Sequence, residues 1–245
     1  MVKKLFFAFL RRLIILFVRK PELIGVNHID PANPGIFVAN HLGSYGPMAL
    51  ALYLPFKTAI WVTHEMTDHK ICPGYLEKKF IRPDLKLRPP LSRLVSFCLG
   101  RLCVSVMTYI EAIPVFKHNR KIMITMENSV KKLREGRGIL VFPEIHSADT
   151  TNEIDVFNPG FIGLARSLYR MHGQIAYFHP ICVTRAKQVV IGRPVAFDPS
   201  KPFPYEKKRI ADYLHETILD VFEHGPAAED TDRCAVQEDE KKVAP

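Results

Sequence analysis

Gly35-Ile36-Phe37-Val38-Ala39-Asn40-His41-Leu42-Gly43-Ser44-Tyr45-Gly46-Pro47-Met48 is the stretch whose reading decides the fold. Its first five residues form a short apolar run, which reads as a buried strand. Residues 40–46 are polar and glycine-bearing and read as a loop. Residues 48–54 read as a helix entered through Pro47, because proline suits a first helical turn, where its missing N–H removes no hydrogen bond. Strand, loop and helix in that order make the repeating unit of an α/β protein.

The alternation continues outward from there. Residues 58–63 form a second strand candidate and residues 113–116 a third. Residues 120–135 carry Ile122, Met126, Val130 and Leu133 on one face, with Asn119 as cap and Gly136 as stop, and predict a helix. Residues 138–142, 175–183 and 188–191 read as strands, and residues 161–171 as a helix behind Gly160. Ile210, Leu214, Ile218 and Phe222 mark a last amphipathic helix that closes at Gly225. Residues 71–90 carry Pro73, Pro83, Pro89 and Pro90 and read as an irregular insertion. The apolar stretch Leu91–Tyr109 reads as a helix that is either buried or facing lipid. The expected fold is α/β, a single domain over residues 21–225 with a largely parallel mixed sheet flanked by helices, plus an N-terminal amphipathic membrane-surface helix. Chemistry in such sheets collects at the carboxyl ends of the strands, here the loops 40–46, 64–68, 116–120 and 144–148.

The chain has 245 residues, is 47% hydrophobic and carries a net charge of +9, which describes an ordered globular protein with an anionic partner. Residues 1–20 hold Lys3, Lys4, Arg11, Arg12, Arg19 and Lys20 without an acid, interleaved with apolar runs. That pattern predicts a helix lying in a membrane interface against anionic lipids, since Arg11 and Arg12 interrupt the run short of the roughly 20 residues that a spanning helix needs. A signal peptide would not carry paired arginines in its apolar region. No nucleic-acid motif accompanies the basic residues, so nucleic acid is not an expected partner. The five cysteines show no metal or disulfide spacing, and no metal is expected. Residues 226–245 read as a disordered polar tail.

His41 follows a buried strand directly, where an imidazole can be held at the sheet edge with its outer nitrogen free. A histidine so placed is either a general base or a hydrogen-bonding structural residue. Its neighbours bear on the choice. Asn40, His41 and Pro47, then Ile113-Pro114-Val115-Phe116-Lys117 with Arg120, then Phe142-Pro143-Glu144, and later Pro180, resemble in order and spacing the four motifs of the lysophosphatidic acid acyltransferase family. The resemblance covers about residues 30–195.

This resemblance implies acyl transfer from a thioester on coenzyme A or acyl carrier protein to a hydroxyl of a lysophospholipid or related membrane lipid, at the cytoplasmic face of a membrane. No cofactor is implied. His41 is then the general base and Glu144 a second catalytic residue, with Asn40, Lys117, Arg120 and Pro143 binding substrate. Several positions depart from the pattern: Gly46 stands where the family has the Asp that orients the imidazole, Lys117 where it has an Arg, Ile145 where it has a Gly, and His146-Ser147 where it often has Thr-Arg. Glu65, Asp68 and Glu144 are the candidate substitute acids. The alternative is a non-catalytic lipid-binding relative that keeps the fold and has lost that acid.

Overall fold

The computed structural model describes residues 2–30, 35–116, 121–144 and 157–227. Its strands are β1 (Glu22–Ile24), β2 (Ile36–Ala39), β3 (Thr58–Thr63), β4 (Ile113–Val115), β5 (Gly138–Val141), β6 (Tyr177–Val183), β7 (Gln188–Ile191) and β8 (Val195–Ala196). Its helices are α1 (Val2–Phe17), α2 (Tyr45–Tyr53), α3 (Cys72–Leu76), α4 (Arg82–Leu85), α5 (Leu91–Tyr109), α6 (Ile122–Arg134), α7 (Gly163–His172) and α8 (Phe203–His224). The chain divides into two compact units, Met1–Leu10 with Ala59–Ser129, and Arg11–Thr58 with Val130–Pro245.

The larger unit is built on a mixed, mostly parallel sheet in the order β1, β7, β6, β2, β5. β2 runs parallel to β5 on one side and to β6 on the other, β1 is parallel to β7, and β6 is antiparallel to β7 and β8. Every residue of β2 and β5 is buried, as expected for parallel strands covered on both faces, which explains their unbroken apolar runs. Phe37 sits at the centre, stacked 4.7 Å from Phe56 and 5.1 Å from the His179 ring. Gly138 lies where a Cβ would collide with the Phe37 ring, so glycine is required for β5 to approach β2 this closely.

α8 packs on β6 through Ile210, Leu214, Ile218 and Phe222, the helical spacing visible in the sequence. Each such buried side chain contributes about 1.5–3 kcal/mol of transfer free energy. Glu206 on the same helix is fully buried and fully engaged. Arg209 donates to both its oxygens at 2.8 and 2.7 Å, and the Asp198 N–H donates to Oε2 at 2.9 Å. These bonds hold its carboxyl below the usual range, Arg209 contributing most.

The helix α2 begins at Tyr45, earlier than residues 48–54, because Pro47 occupies its first turn rather than preceding it.

In the smaller unit β3 and β4 pair in parallel, Thr63 opposite Val115. The irregular insertion expected over residues 71–90 is instead largely helical. Pro73 stands in the first turn of α3, where an N–H has no intrahelical partner, and Pro83 follows a π-helical turn, Glu77–Ile81, that runs without a break from α3 into α4. α5 is a helix turned inside out. Ser92, Ser96, Gly100 and Val104, one residue per turn, form its buried edge. An added Cβ on Gly100 would stand 2.8 Å from Pro73 Cγ, so the small residues allow α3 to pack tightly. Leu91, Leu94, Phe97 and Tyr109 point outward. α5 is long and apolar enough to cross a membrane, and only 22% of its apolar window is buried, which is not the pattern of a core helix. α1 likewise exposes Leu5, Phe6, Phe9, Leu13, Leu16 and Phe17.

His179 is 2% exposed on β6, and its Nδ1 has no hydrogen-bond partner among the described residues. Burial first, and the neighbouring His28 second, lower its pKa from 6.5 to about 4. The unfolded chain therefore takes up a proton before the folded one as pH falls. Stability should decline from pH 6.5 towards pH 4, by about 3 kcal/mol in total. Urea denaturation at pH 7 and pH 5 should show this decline in the native chain and a smaller one in His179→Gln; equal declines in the two proteins would refute the assignment.

Candidate active site

His41 and Glu144 occupy equivalent positions on adjacent parallel strands. Register pairs Val38 with Val141, so the residues that follow β2 and β5 emerge together at the carboxyl edge. Glu144 Oε2 accepts the His41 backbone N–H at 2.8 Å and lies 3.0 Å from His41 Nδ1. One carboxylate oxygen thus fixes both the chain and the ring of the histidine. The bond to Nδ1 selects the tautomer with the proton on that nitrogen and the lone pair on Nε2. The Phe142 ring rests against the imidazole, centroids 4.8 Å apart. Side-chain exposure is 27% for His41 and 6% for Glu144, so the carboxylate is withdrawn and the imidazole reaches the surface. The acid also acts on its surroundings: Cys182 is pushed up to about 12, by burial first and by the Glu144 charge second.

Asn40 is 1% exposed, and both ends of its amide are committed to one backbone. Nδ2 donates to the Val183 carbonyl at 3.0 Å and Oδ1 accepts the Val183 N–H at 2.7 Å. The side chain thereby continues the β2–β6 pairing one step past Ala39 and Ile181, where the backbone turns away. Pro143 is buried, and its carbonyl accepts the Asn158 N–H at 2.9 Å. Glu144 bridges Phe157 in antiparallel fashion, which secures the acid from its other side.

The loop after His41 turns back at once. Leu42 and Gly43 both have left-handed backbones, with φ of 42° and 62°. The Gly46 N–H then donates to the His41 carbonyl at 3.0 Å. A Cβ on Gly46 would overlap that carbonyl oxygen and stand 2.8 Å from its carbon. The position where an acid was expected therefore has no room for any side chain.

Glu65 and Asp68, the other candidate acids, belong to the smaller unit and are engaged within it. Glu65 accepts from Thr63 Oγ1, and its Oε2 lies 3.0 Å from His64 Nδ1, off the axis a hydrogen bond needs. His64 itself stacks 5.1 Å from Phe116, as the parallel register of β3 and β4 dictates. Asp68 accepts the Lys70 N–H at 2.7 Å, and its carbonyl accepts the Cys72 N–H at 2.8 Å, so it shapes the turn into α3. Lys117, Arg120 and the cap Asn119 lie outside the described residues, as does residue 145 onward in the loop after Glu144. Among the described residues no group of three or more His, Cys, Asp or Glu stands together as a metal site. Sequence reasoning did not single out Tyr45 and Val183, which respectively open α2 and anchor Asn40. Nothing in either residue type marks it; the tyrosine in a glycine-rich loop was the one available signal.

No protein-family model matches the chain, and no curated protein sequence matches it. Among solved structures the fold is similar to that of the 1-acyl-sn-glycerophosphate (LPA) acyltransferase PlsC from Thermotoga maritima. The TM-score is 0.51 at 14% identity, over 83% of this chain and 71% of that one, and at this identity the likeness is one of fold.

Proposed function

We propose that the chain transfers a fatty acyl group from a thioester, on coenzyme A or acyl carrier protein, to a hydroxyl of a lysophospholipid or related membrane lipid. The observation that carries this reading is the Glu144 to His41 pair, an oriented imidazole backed by a withdrawn carboxylate at a sheet edge. The fold shared with a lipid acyltransferase supports it.

In this reading His41 Nε2 takes the proton of the acceptor hydroxyl as its oxygen attacks the thioester carbonyl. The tetrahedral adduct collapses with cleavage of the C–S bond, the sulfur leaves with the proton held by His41, and an ester and a free thiol result. Glu144 acts through His41: it orients the ring and stabilises its transient positive charge, as the acid does in hydrolase triads. Asn40 and Pro143 are assigned positioning roles, because the amide of one and the ring of the other are buried in the framework. Lys117 and Arg120 keep their proposed role at the acceptor headgroup. The rival reading, a non-catalytic lipid-binding relative, rests on Gly46 standing in place of an acid; a carboxylate reaching the ring from Glu144 weakens that ground.

Attachment to the cytoplasmic face of a membrane completes the proposal. α1 offers an amphipathic helix with apolar residues exposed, and α5 carries an apolar face with no acid along its length. Interfacial helices of this composition bind by apolar burial together with attraction to anionic headgroups.

Purified protein given long-chain acyl-CoA or acylated carrier protein and a panel of lysolipids should release thiol, and His41→Ala should abolish the release. Glu144→Gln should lower kcat by on the order of 10²–10⁴ while KM for the donor changes little. Native-level turnover in Glu144→Gln would remove that residue from the mechanism, and absence of thiol release above the His41→Ala background with every acceptor would favour the non-catalytic reading. Restoring an acid at the usual position should fail for steric reasons. Gly46→Asp is expected to lose about 1–3 kcal/mol or more in a chemical melt, through overpacking against the His41 carbonyl; a Gly46→Asp protein as stable as the native one would contradict the loop geometry. For attachment, Leu94→Asp with Phe97→Asp, at sites 62% and 51% exposed, should leave the fold intact and reduce co-flotation with anionic vesicles. Undiminished flotation would exclude α5 from the contact.

A further inference from the structure

We propose that α5 and the helical turns before it form a docking face for an anionic lipid bilayer, and that α5 lies along the bilayer surface rather than crossing it. The proposal rests on the membrane attachment put forward above and narrows it to one face, one orientation and one lipid charge. The face belongs to the smaller unit. Ser92 Oγ donates to Glu77 Oε1 at 2.8 Å, and Arg82 donates to the same oxygen through Nε at 3.1 Å and Nη2 at 2.8 Å. One carboxylate thus fastens the π-helical turn and α4 to the first turn of α5. The bonds from Ser92 first and Arg82 second hold that carboxyl below the usual range, so the acid of the turn is engaged within the fold. Phe80 and Leu85 on the fastened segment, and Leu91, Leu94 and Phe97 on α5, are all exposed.

Two observations set the orientation. Gly100 stands at the middle of the 19-residue α5, and a Cβ there would lie 2.8 Å from Pro73 Cγ, so α3 packs against the midpoint of α5. The chain on either side of α3 is charged and exposed, at Lys70 before it and at Lys78 and Lys79 after it. A crossing α5 would draw these lysines and the turns that carry them into hydrocarbon, where neither the charges nor the irregular backbone find partners. Arg101, one residue past the midpoint, is exposed, and its guanidinium lies 5.2 Å over the Phe97 ring one turn back. In a crossing helix that guanidinium would stand near the bilayer midplane. In a helix lying flat, the apolar side chains enter the acyl boundary while the arginine reaches the headgroups.

Charge names the lipid. Between Lys78 and Tyr109 the only acid in the sequence is Asp84, against exposed Lys78, Lys79, Lys86, Arg88, Arg93 and Arg101, with Arg82 held by Glu77. Cations alone would suit any polyanion. Here large apolar side chains stand exposed among them along the chain, and a bilayer with anionic headgroups meets both at once: attraction at the surface and apolar burial just beneath it. The face also continues past α5. The Phe7 ring of α1 stacks on Tyr109, the last residue of α5, at 4.2 Å, which joins the exposed Leu5, Phe6 and Phe9 to the same surface.

The test floats the full chain with phosphatidylcholine vesicles, with and without phosphatidylglycerol, and washes membranes that carry it with alkaline carbonate. The native protein should favour the phosphatidylglycerol vesicles, lose that preference as ionic strength rises, and be released by the wash. Lys78→Gln, Lys79→Gln, Lys86→Gln and Arg88→Gln together should weaken binding to phosphatidylglycerol vesicles about tenfold or more, and exchanging the same four residues between lysine and arginine should retain it. Should the fourfold variant not fold, Lys78→Gln with Lys79→Gln reads a smaller loss of the same kind. Native-like binding by the Gln variants would assign the response to α1 and overturn the proposal. Equal binding of the native protein to both vesicle types, or no flotation with either, also overturns it, and so does resistance to carbonate, which marks a crossing helix. Thiol release with lysolipid dispersed in neutral detergent should be unchanged in the Gln variants. A chain that floats as expected and releases no thiol therefore loses the acyl-transfer reading and keeps this face; thiol release by a chain that does not float does the reverse.

Discussion

Glu144 Oε2 holds two donors of the same residue, the His41 backbone N–H and the ring Nδ1, and the geometry of the candidate site follows from that sharing. A carboxylate 6% exposed has lost most of its water and needs strong partners in return. A rotating imidazole alone would be a loose partner. The backbone N–H removes that freedom, because it is fixed by the pairing of β2 with β5 and β6. Strand register therefore sets the carboxylate, and the carboxylate sets the ring. A withdrawn carboxylate is a poor device for stability, since apolar residues of similar volume usually serve as well or better. Its presence at the open edge of an otherwise apolar sheet is the ground on which the acyl-transfer proposal stands.

The same dependence explains the glycine five residues after His41. The carboxylate that meets the ring comes from the segment after β5. The loop after His41 closes tightly, with the Gly46 N–H on the His41 carbonyl and no Cβ in the way. What reads in the sequence as a missing residue is, in the fold, a turn that excludes a side chain. Gly46 leaves the loop without a side chain, and Glu144 supplies the carboxylate beside the ring.

Much of the fold was legible because the central strands are buried on both faces and so read as plain apolar runs; β2, β5, β6 and β7 were found within a residue or two for that reason. The short strands β1 and β8 were not, since three- and two-residue segments carry no period. Residues 71–90 read as irregular because proline usually punctuates a chain, whereas Pro73 opens a helix and Pro83 is accommodated beyond a π-helical turn. For α5 the composition left core and lipid open. The outcome turned on its buried edge being serine, serine, glycine and valine at helical spacing. At the site, His41 and Glu144 were legible one by one. Their contact was not, because it joins residues 103 apart through a strand register that no single-sequence pattern reports.

The end of α1 and the candidate site share one frame within the larger unit. The end of α1 is fastened to α2 by a series of hydrogen bonds to backbone carbonyls: Arg11 Nη2 to Leu52 at 3.3 Å, Tyr53 to Val18 at 2.9 Å and Tyr45 to Arg19 at 3.0 Å. α1 is thus braced along α2 rather than hung from a flexible tether. The exposed Leu13, Leu16 and Phe17 on that braced segment fix where a lipid surface would lie relative to the first turn of α2, and hence to His41. A lysolipid hydroxyl sits at the headgroup level, just above the acyl chains. Under the proposed acyl-transfer reading, an apolar helix face fastened to α2 would present His41 at that level without lifting the lipid from the membrane, which avoids the cost of exposing an acyl chain to water, about 0.8 kcal/mol per CH₂.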